Sequence, residues 1–162
     1  GLPVIFVCEN NEYSVYTHLE SRQPDRSMNK IAEAHGWEVD FGNGNDLNQV
    51  AEISQKAVSR VKANGRPQFL EFETYRWIEH CGPDDDDHLN YRPADEVASW
   101  KKKCPVRHME TQLLSNKIIT QEDLDSYRQS ITDEIELSFK FAQASPFPSP
   151  ESLYQFSNSD PS

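Results

Sequence analysis

Four groups of side chains in this sequence are of types that do chemistry. The imidazole of His80 is a side chain that could move protons or sit beside an anionic group. Asn10 and Asn11 close an apolar run, and a side-chain amide oxygen is a suitable ligand for a hard cation. Asp84, Asp85, Asp86 and Asp87 lie between His80 and His88, a mixture that suggests a metal site. Cys8, Cys81 and Cys104 are the thiols.

Each group also has a plainer reading. An Asn-Asn pair after an apolar run is, by itself, a turn that ends a strand. His80 alone is an exposed loop histidine beside a charge run. A run of like carboxylates is more often a solvated loop than a metal site. His80 and Cys81 are not a nucleophile pair on adjacency alone, because neighbours in an extended chain point apart. The cysteines are odd in number, widely spaced and without a CxxC pair, so a reducing, intracellular compartment is expected rather than a disulfide framework. Cys8, within an apolar run, reads as a small buried hydrophobe.

The elements that must position these residues are legible from pattern. LPVIFVCENN is a continuous apolar run closed by turn-forming residues, which predicts a strand covered on both faces. A polar loop is expected over residues 12–26, a short helix over 27–35 ending at Gly36, and a second strand over Trp37–Phe41. GNGN at residues 42–45 is a turn that delivers a helix cap at Asn45 or Asp46. The clearest element is a helix over Leu47–Asn64, stopped by Gly65 and Pro67. Residues 68–77 predict a third strand, so strand, helix and strand follow in the order of a βαβ unit. IEHCGPDDDDHLNYRP has no apolar periodicity and reads as a loop. Beyond Pro93 the chain turns helical, with helices expected over 95–103, 106–114 and 121–144. The last carries a partial capping box at Thr120 and Asp123, and an apolar stripe of Leu124, Tyr127, Ile131, Ile135, Phe139 and Ala142.

Bulk properties exclude some partners. The 162 residues carry a formal charge of −11 and 36% hydrophobic content, enough for a domain with a core. A strongly acidic surface repels phosphate backbones and anionic membrane, so neither nucleic acid nor membrane is an expected partner. No apolar run approaches the ~20 residues of a membrane span, and Leu2–Cys8 is too short for a signal peptide. The opening, Gly1 followed at once by a buried-type strand, is the pattern expected of a piece of a longer protein.

Four strings, LPVIFVCENNEYSV, VDFGNGNDLNQV, TYRWIEHCGPDDDDHLNYRPADEVASWKKKCPV and FAQASPFPSPESLYQF, together resemble the alpha subunits of thiamine diphosphate-dependent 2-oxo acid dehydrogenases, the pyruvate, branched-chain and acetoin group. They occur in the family's order and span residues 2–156. That family's cofactor motif begins with Gly-Asp-Gly and ends with Asn-Asn. Only the second end is present, as Asn10 and Asn11.

The resemblance implies a fold and a site. The fold would be α/β: a partial parallel sheet of the thiamine diphosphate-binding type over 1–77, an active-site loop over 78–92, a helical region over 93–156 and a disordered tail at 157–162. Asn11, through its side-chain oxygen, and Tyr13, through its backbone carbonyl, would ligate Mg²⁺ and so bind the diphosphate. His80 would lie over the diphosphate and the reacting ring as the catalytic residue and a cofactor contact. Arg76, Asp84 or a neighbouring aspartate, Tyr91 and Arg92 would hold the loop in its active shape. The position after the histidine is a serine in members silenced by a kinase. Cys81 stands there instead, so no regulatory phosphorylation is expected at that position.

The sequence departs from the family at Glu79, where His or Gly is common, and at Asn43-Gly44, where Asp-Gly is usual. Glu9 stands where some branched-chain members have arginine. Partners implied are the beta subunit of a heterotetramer and a lipoyl acyltransferase, in the cytoplasm or in the mitochondrial matrix. The fragment alone is expected to be inactive. Two other readings compete: a non-catalytic acidic α/β subunit-interaction module, and a small metalloprotein built on His80, His88 and the aspartates.

Overall fold

The computed structural model describes residues 1–154, in two compact units, Gly1–Gln112 and a second from Leu113 onward. The tail expected at 157–162 lies outside the described residues. In the first unit the chain runs β1 (Ile5–Asn10), β2 (Tyr13–Ser14), β3 (Thr17–His18), α1 (Leu19–Arg22), α2 (Met28–Ala34), β4 (Glu38–Asn43), α3 (Leu47–Asn64), β5 (Gln68–Glu73) and α4 (Ala94–Lys102). Helix α5 (Pro105–Ser115) follows and crosses into the second unit, which is built on α6 (Gln121–Ala144). No helix among the described residues is long and apolar enough to cross a membrane.

The architecture is mixed α/β, with a parallel sheet of order β1-β5-β4. Register fixes the feature that matters for function. Asn10 of β1 and Asn43 of β4 both lie opposite Glu73 of β5, so the three strands finish level and three loops leave one sheet edge. Thr74 N–H donates to the Asn10 carbonyl (3.0 Å) and Gly44 N–H to the Glu73 carbonyl (2.7 Å), which closes that edge. The carboxyl edge of a parallel sheet is where α/β folds collect their ligands.

Helix α3 forms where its sequence signals placed it. Asp46 caps its start, its side chain accepting from Asn48 N–H (3.0 Å) and Gln49 N–H (3.2 Å). Gly65, at φ 68°, takes the left-handed geometry that ends it. The helix buries Ala57 against Leu70 and Phe72 of β5, with Ile5, Val50 and Ile53 around them. Because strand side chains alternate, Phe69 faces the other way, toward Trp37 after α2, with ring centres 6.5 Å apart.

The structure differs from the sequence pattern in several places, among them Cys8, which is half-buried on the edge strand β1 rather than buried. β1 was expected to be covered on both faces, yet Phe6 and Val7 are exposed. β1 is an edge strand with one neighbour, and β5 is the strand the sheet buries. The expected loop over 12–26 instead holds the β2–β3 hairpin and α1, made possible by positive φ at Glu12 (64°) and Val15 (55°). The third strand stops at Glu73, not Trp77, because Tyr75 leaves the sheet to stack on Trp100 of α4, 5.4 Å between centres and 8° between planes.

Within the second unit, Thr120 and Asp123 form the full reciprocal capping box of α6: Asp123 N–H donates to Thr120 Oγ1 (3.1 Å) and Thr120 N–H to Asp123 Oδ2 (2.8 Å). Leu124 of its apolar stripe is buried, while Tyr127, Ile131, Ile135 and Phe139 are exposed.

Candidate functional site

The turn after β1 is built by two asparagines. Asn10 Nδ2 donates to the buried Glu71 of β5 (2.9 Å), which fixes the amide so that its Oδ1 accepts from Glu12 N–H (3.1 Å). Asn11 Oδ1 accepts from Tyr13 N–H at 3.0 Å. Two overlapping side-chain turns therefore reverse the chain through Glu12, whose positive φ would be costly without them.

The donor set suits the group the family resemblance implies. Asn11 Oδ1 and the Tyr13 carbonyl are neutral hard oxygens two residues apart in one tight turn. An amide oxygen has two lone pairs, so Asn11 can serve the Tyr13 N–H and a cation together. Mg²⁺ takes such ligands beside phosphate oxygens.

Tyr13 is held at its far end as well. Its hydroxyl donates to Glu96 Oε1 of α4 (3.0 Å), and the Tyr75 hydroxyl donates to the same oxygen (2.7 Å). The rings of Tyr75 and Tyr91 meet that of Tyr13 edge-on at 6.0 and 5.8 Å. Burial, then the Glu96 carboxylate, pushes the Tyr13 phenol up to about 12, and the same two causes raise Tyr75 further.

The loop between β5 and α4 closes around one aspartate. Asp86 is buried and pairs with Arg92, itself buried, while Tyr91 donates its hydroxyl to Asp86 Oδ2 at 2.6 Å. Arg76 lies 3.8 Å from the same carboxylate. Arg92 further donates to Asp87 (3.0 Å) and to the Arg76 carbonyl, and its guanidinium lies 4.9 Å from the Tyr91 ring centre. Lys101 of α4 faces Asp87 at 3.3 Å and Asp85 at 3.6 Å.

Arg76, Tyr91 and Arg92 thus converge on Asp86, one of the neighbours the sequence left open beside Asp84. Asp84 itself is exposed, and its backbone carbonyl accepts from Glu79 N–H at 2.9 Å. Four identical neighbours offer no local pattern that singles out the third. Among the described residues, no group of three or more His, Cys, Asp or Glu side chains converges to hold a metal ion.

His80 is exposed at the tip of this loop. Arg76 ties the segment before it to the hairpin beyond Asn11, donating to the Ile78 carbonyl (2.6 Å) and the Val15 carbonyl (2.8 Å). Asn11 and His80 therefore lie on loops that leave adjacent parallel strands at one edge and share an arginine strap. Sequence reasoning missed Glu96, which acts across 83 residues of chain. An acidic residue in a first helical turn is ordinary, so no local signal marks it.

Comparison with known proteins adds an independent line. The profile of the family described as "Dehydrogenase E1 component" matches residues 1–151. The chain is similar to the pyruvate dehydrogenase E1 component subunit alpha of Rickettsia bellii, with 31% identity over 154 residues, or 95% of this chain and 46% of that protein. That of Porphyra purpurea is 31% identical over 157 residues, covering 96% and 44%. The chloroplastic pyruvate dehydrogenase E1 component subunit alpha-3 of Arabidopsis thaliana is 32% identical over 161 residues, covering 99% and 37%. The chain spans less than half the length of these relatives.

Proposed function

This chain belongs to the dehydrogenase E1 component family, and on that premise we propose that it carries the second half of the cofactor motif of an alpha subunit in a thiamine diphosphate-dependent 2-oxo acid dehydrogenase. The relatives' names point to pyruvate as the 2-oxo acid. The reading is supported most directly by the Arg76 strap, which joins the loop of His80 to the hairpin that follows Asn11.

When bound, thiamine diphosphate supplies the electron sink that decarboxylation of a 2-oxo acid needs. The chain's own residues would bind and serve that group. Asn11 Oδ1 and the Tyr13 carbonyl would be the oxygen donors to Mg²⁺. His80 would pass a proton to or from the reacting group and contact the substrate carboxylate. The Asp86–Arg92–Tyr91–Arg76 cluster keeps the loop folded so that His80 is presented from the sheet edge.

A beta subunit would supply the other wall of the pocket. The proposed acceptor of the acyl group is the lipoyl arm of an acyltransferase. The free state of Cys8, Cys81 and Cys104 fits a reducing compartment, cytoplasm or mitochondrial matrix.

One observation favours a second reading, a non-catalytic subunit-interaction module: Phe6, Val7 and Phe41 expose apolar surface on the edge strands β1 and β4.

A chimera separates the two. In a full-length pyruvate dehydrogenase alpha subunit, the matching segment is replaced by residues 1–151 and the product is assembled with its beta subunit. Decarboxylation of pyruvate is expected, with His80→Ala lowering kcat by roughly 10²–10⁴. A folded chimera that assembles but turns over nothing supports the module and refutes the enzymatic reading.

A further inference from the structure

We infer that Glu96 is a positioning residue: its carboxylate fixes the Asn11–Tyr13 turn against α4, and so couples the folding of the His80 loop to the placement of the two cation donors. The inference rests on the proposed role of those donors, but its test does not.

The geometry is specific. One oxygen, Glu96 Oε1, accepts from Tyr13 at 3.0 Å and Tyr75 at 2.7 Å. Tyr75 is buried, 8% exposed, and stacked on Trp100. Glu96, Tyr75 and Trp100 thus form a frame made by the end of β5 and by α4, and Tyr13 reaches into it from the turn after β1. Fixing the phenol fixes the residue whose N–H is bonded to Asn11 Oδ1 and whose carbonyl is the second donor.

A helix-terminal carboxylate acting only through the helix dipole would need no such partners. Asp95 shows the contrast: it lies in the same first turn and is exposed. The coupling to the loop follows from chain order. Arg92, locked to Asp86, immediately precedes Pro93 and the first turn of α4, so an unfolded loop leaves Glu96 without a fixed origin.

The test uses the chain itself and needs no cation, so failure of the cofactor reading cannot be mistaken for failure of the clamp. Amide hydrogen exchange is followed at Tyr13, with Phe72 in β5 as the internal reference. Glu96→Ala and Tyr13→Phe are each expected to speed exchange at position 13 about tenfold or more while leaving Phe72 protected. Glu96→Gln, which keeps the accepting oxygen, should restore protection to within about threefold. Asp95→Ala should have no effect there. Tyr13→Phe alters no residue of α4, so unchanged exchange in that variant overturns the inference even if Glu96→Ala fails to fold. Loss of protection in Glu96→Gln equal to that in Glu96→Ala also overturns it.

Discussion

Asp86 and Arg92, six residues apart in the chain, face each other with only 2% and 5% of their surfaces exposed. Such a pair is not in itself strongly stabilising, because both ions lose their water. Its consequence lies in what happens when one partner is removed. Tyr91 and Arg76 also converge on this carboxylate, so Asp86 is the buried ionic centre of the loop and its three neighbours are not interchangeable with it.

Asp86→Ala should therefore cost about 3–5 kcal/mol, since it leaves Arg92 buried and uncompensated. Asp84→Ala should fall within about 0.5 kcal/mol of the parent, because only its backbone is engaged. Urea unfolding, with limited proteolysis across residues 78–91, measures both. Equal costs would mean that the loop is not organised by Asp86.

The Tyr13 phenol gives a pH dependence with a definite sign. Its pKa is raised from 10.0 to about 12 by burial and by the Glu96 carboxylate, so the folded state favours the protonated phenol. The stability this contributes is fully present below pH 10 and is lost as pH climbs toward about 12. Denaturant unfolding across that interval should show a steeper decline for the parent than for Tyr13→Phe. Identical slopes would contradict the assignment.

Gly44 is required by proximity. A Cβ there would lie 2.8 Å from the Glu73 carbonyl oxygen, 3.2 Å from Phe72 Cβ and 3.3 Å from Thr74 Cβ, none of which can swing aside. Gly44→Ala should destabilise the first unit by about 1–3 kcal/mol. A thermal or urea midpoint equal to that of the parent would show that the turn adapts.

The thiols should differ in reactivity. Cys104 lies just before α5, where the Arg107 backbone N–H, foremost, and then the Arg107 side chain hold its pKa below the usual thiol value. Burial, with Glu71 and Glu9 nearby, raises that of Cys8. Alkylation by iodoacetamide at neutral pH, followed by peptide mapping, should modify Cys104 well before Cys8. The reverse order would contradict the thiolate assignment.

What the sequence revealed divides by range. Helices α3 and α6 are fully legible because their caps and apolar spacing are local: Asp46 with Gly65, and Thr120 with Asp123. The β2–β3 hairpin is not, since it depends on positive φ at Glu12 and Val15, residues that rarely adopt it. Nor is the exposure of β1, because an apolar run does not say whether its strand lies at the centre or the edge of a sheet. The candidate site shows the same division. Asn11, Tyr13 and His80 stand out through family strings, and the structure places Asn11 and His80 on loops from one sheet edge. Glu96 is 83 residues from Tyr13, and only the folded chain joins them.

The central claim is that Asn11 and Tyr13 grip a cation-bridged diphosphate while His80 faces the same bound group. Paramagnetic broadening of backbone NMR signals by Mn²⁺ with thiamine diphosphate tests it most directly, because weak binding by the 162-residue chain suffices. The account expects Asn11, Glu12 and Tyr13 to broaden first and His80 to follow, with all four effects lost in Asn11→Ala. Broadening centred on the exposed carboxylates of Asp84 and Asp85, with Asn11 and Tyr13 untouched, would contradict it.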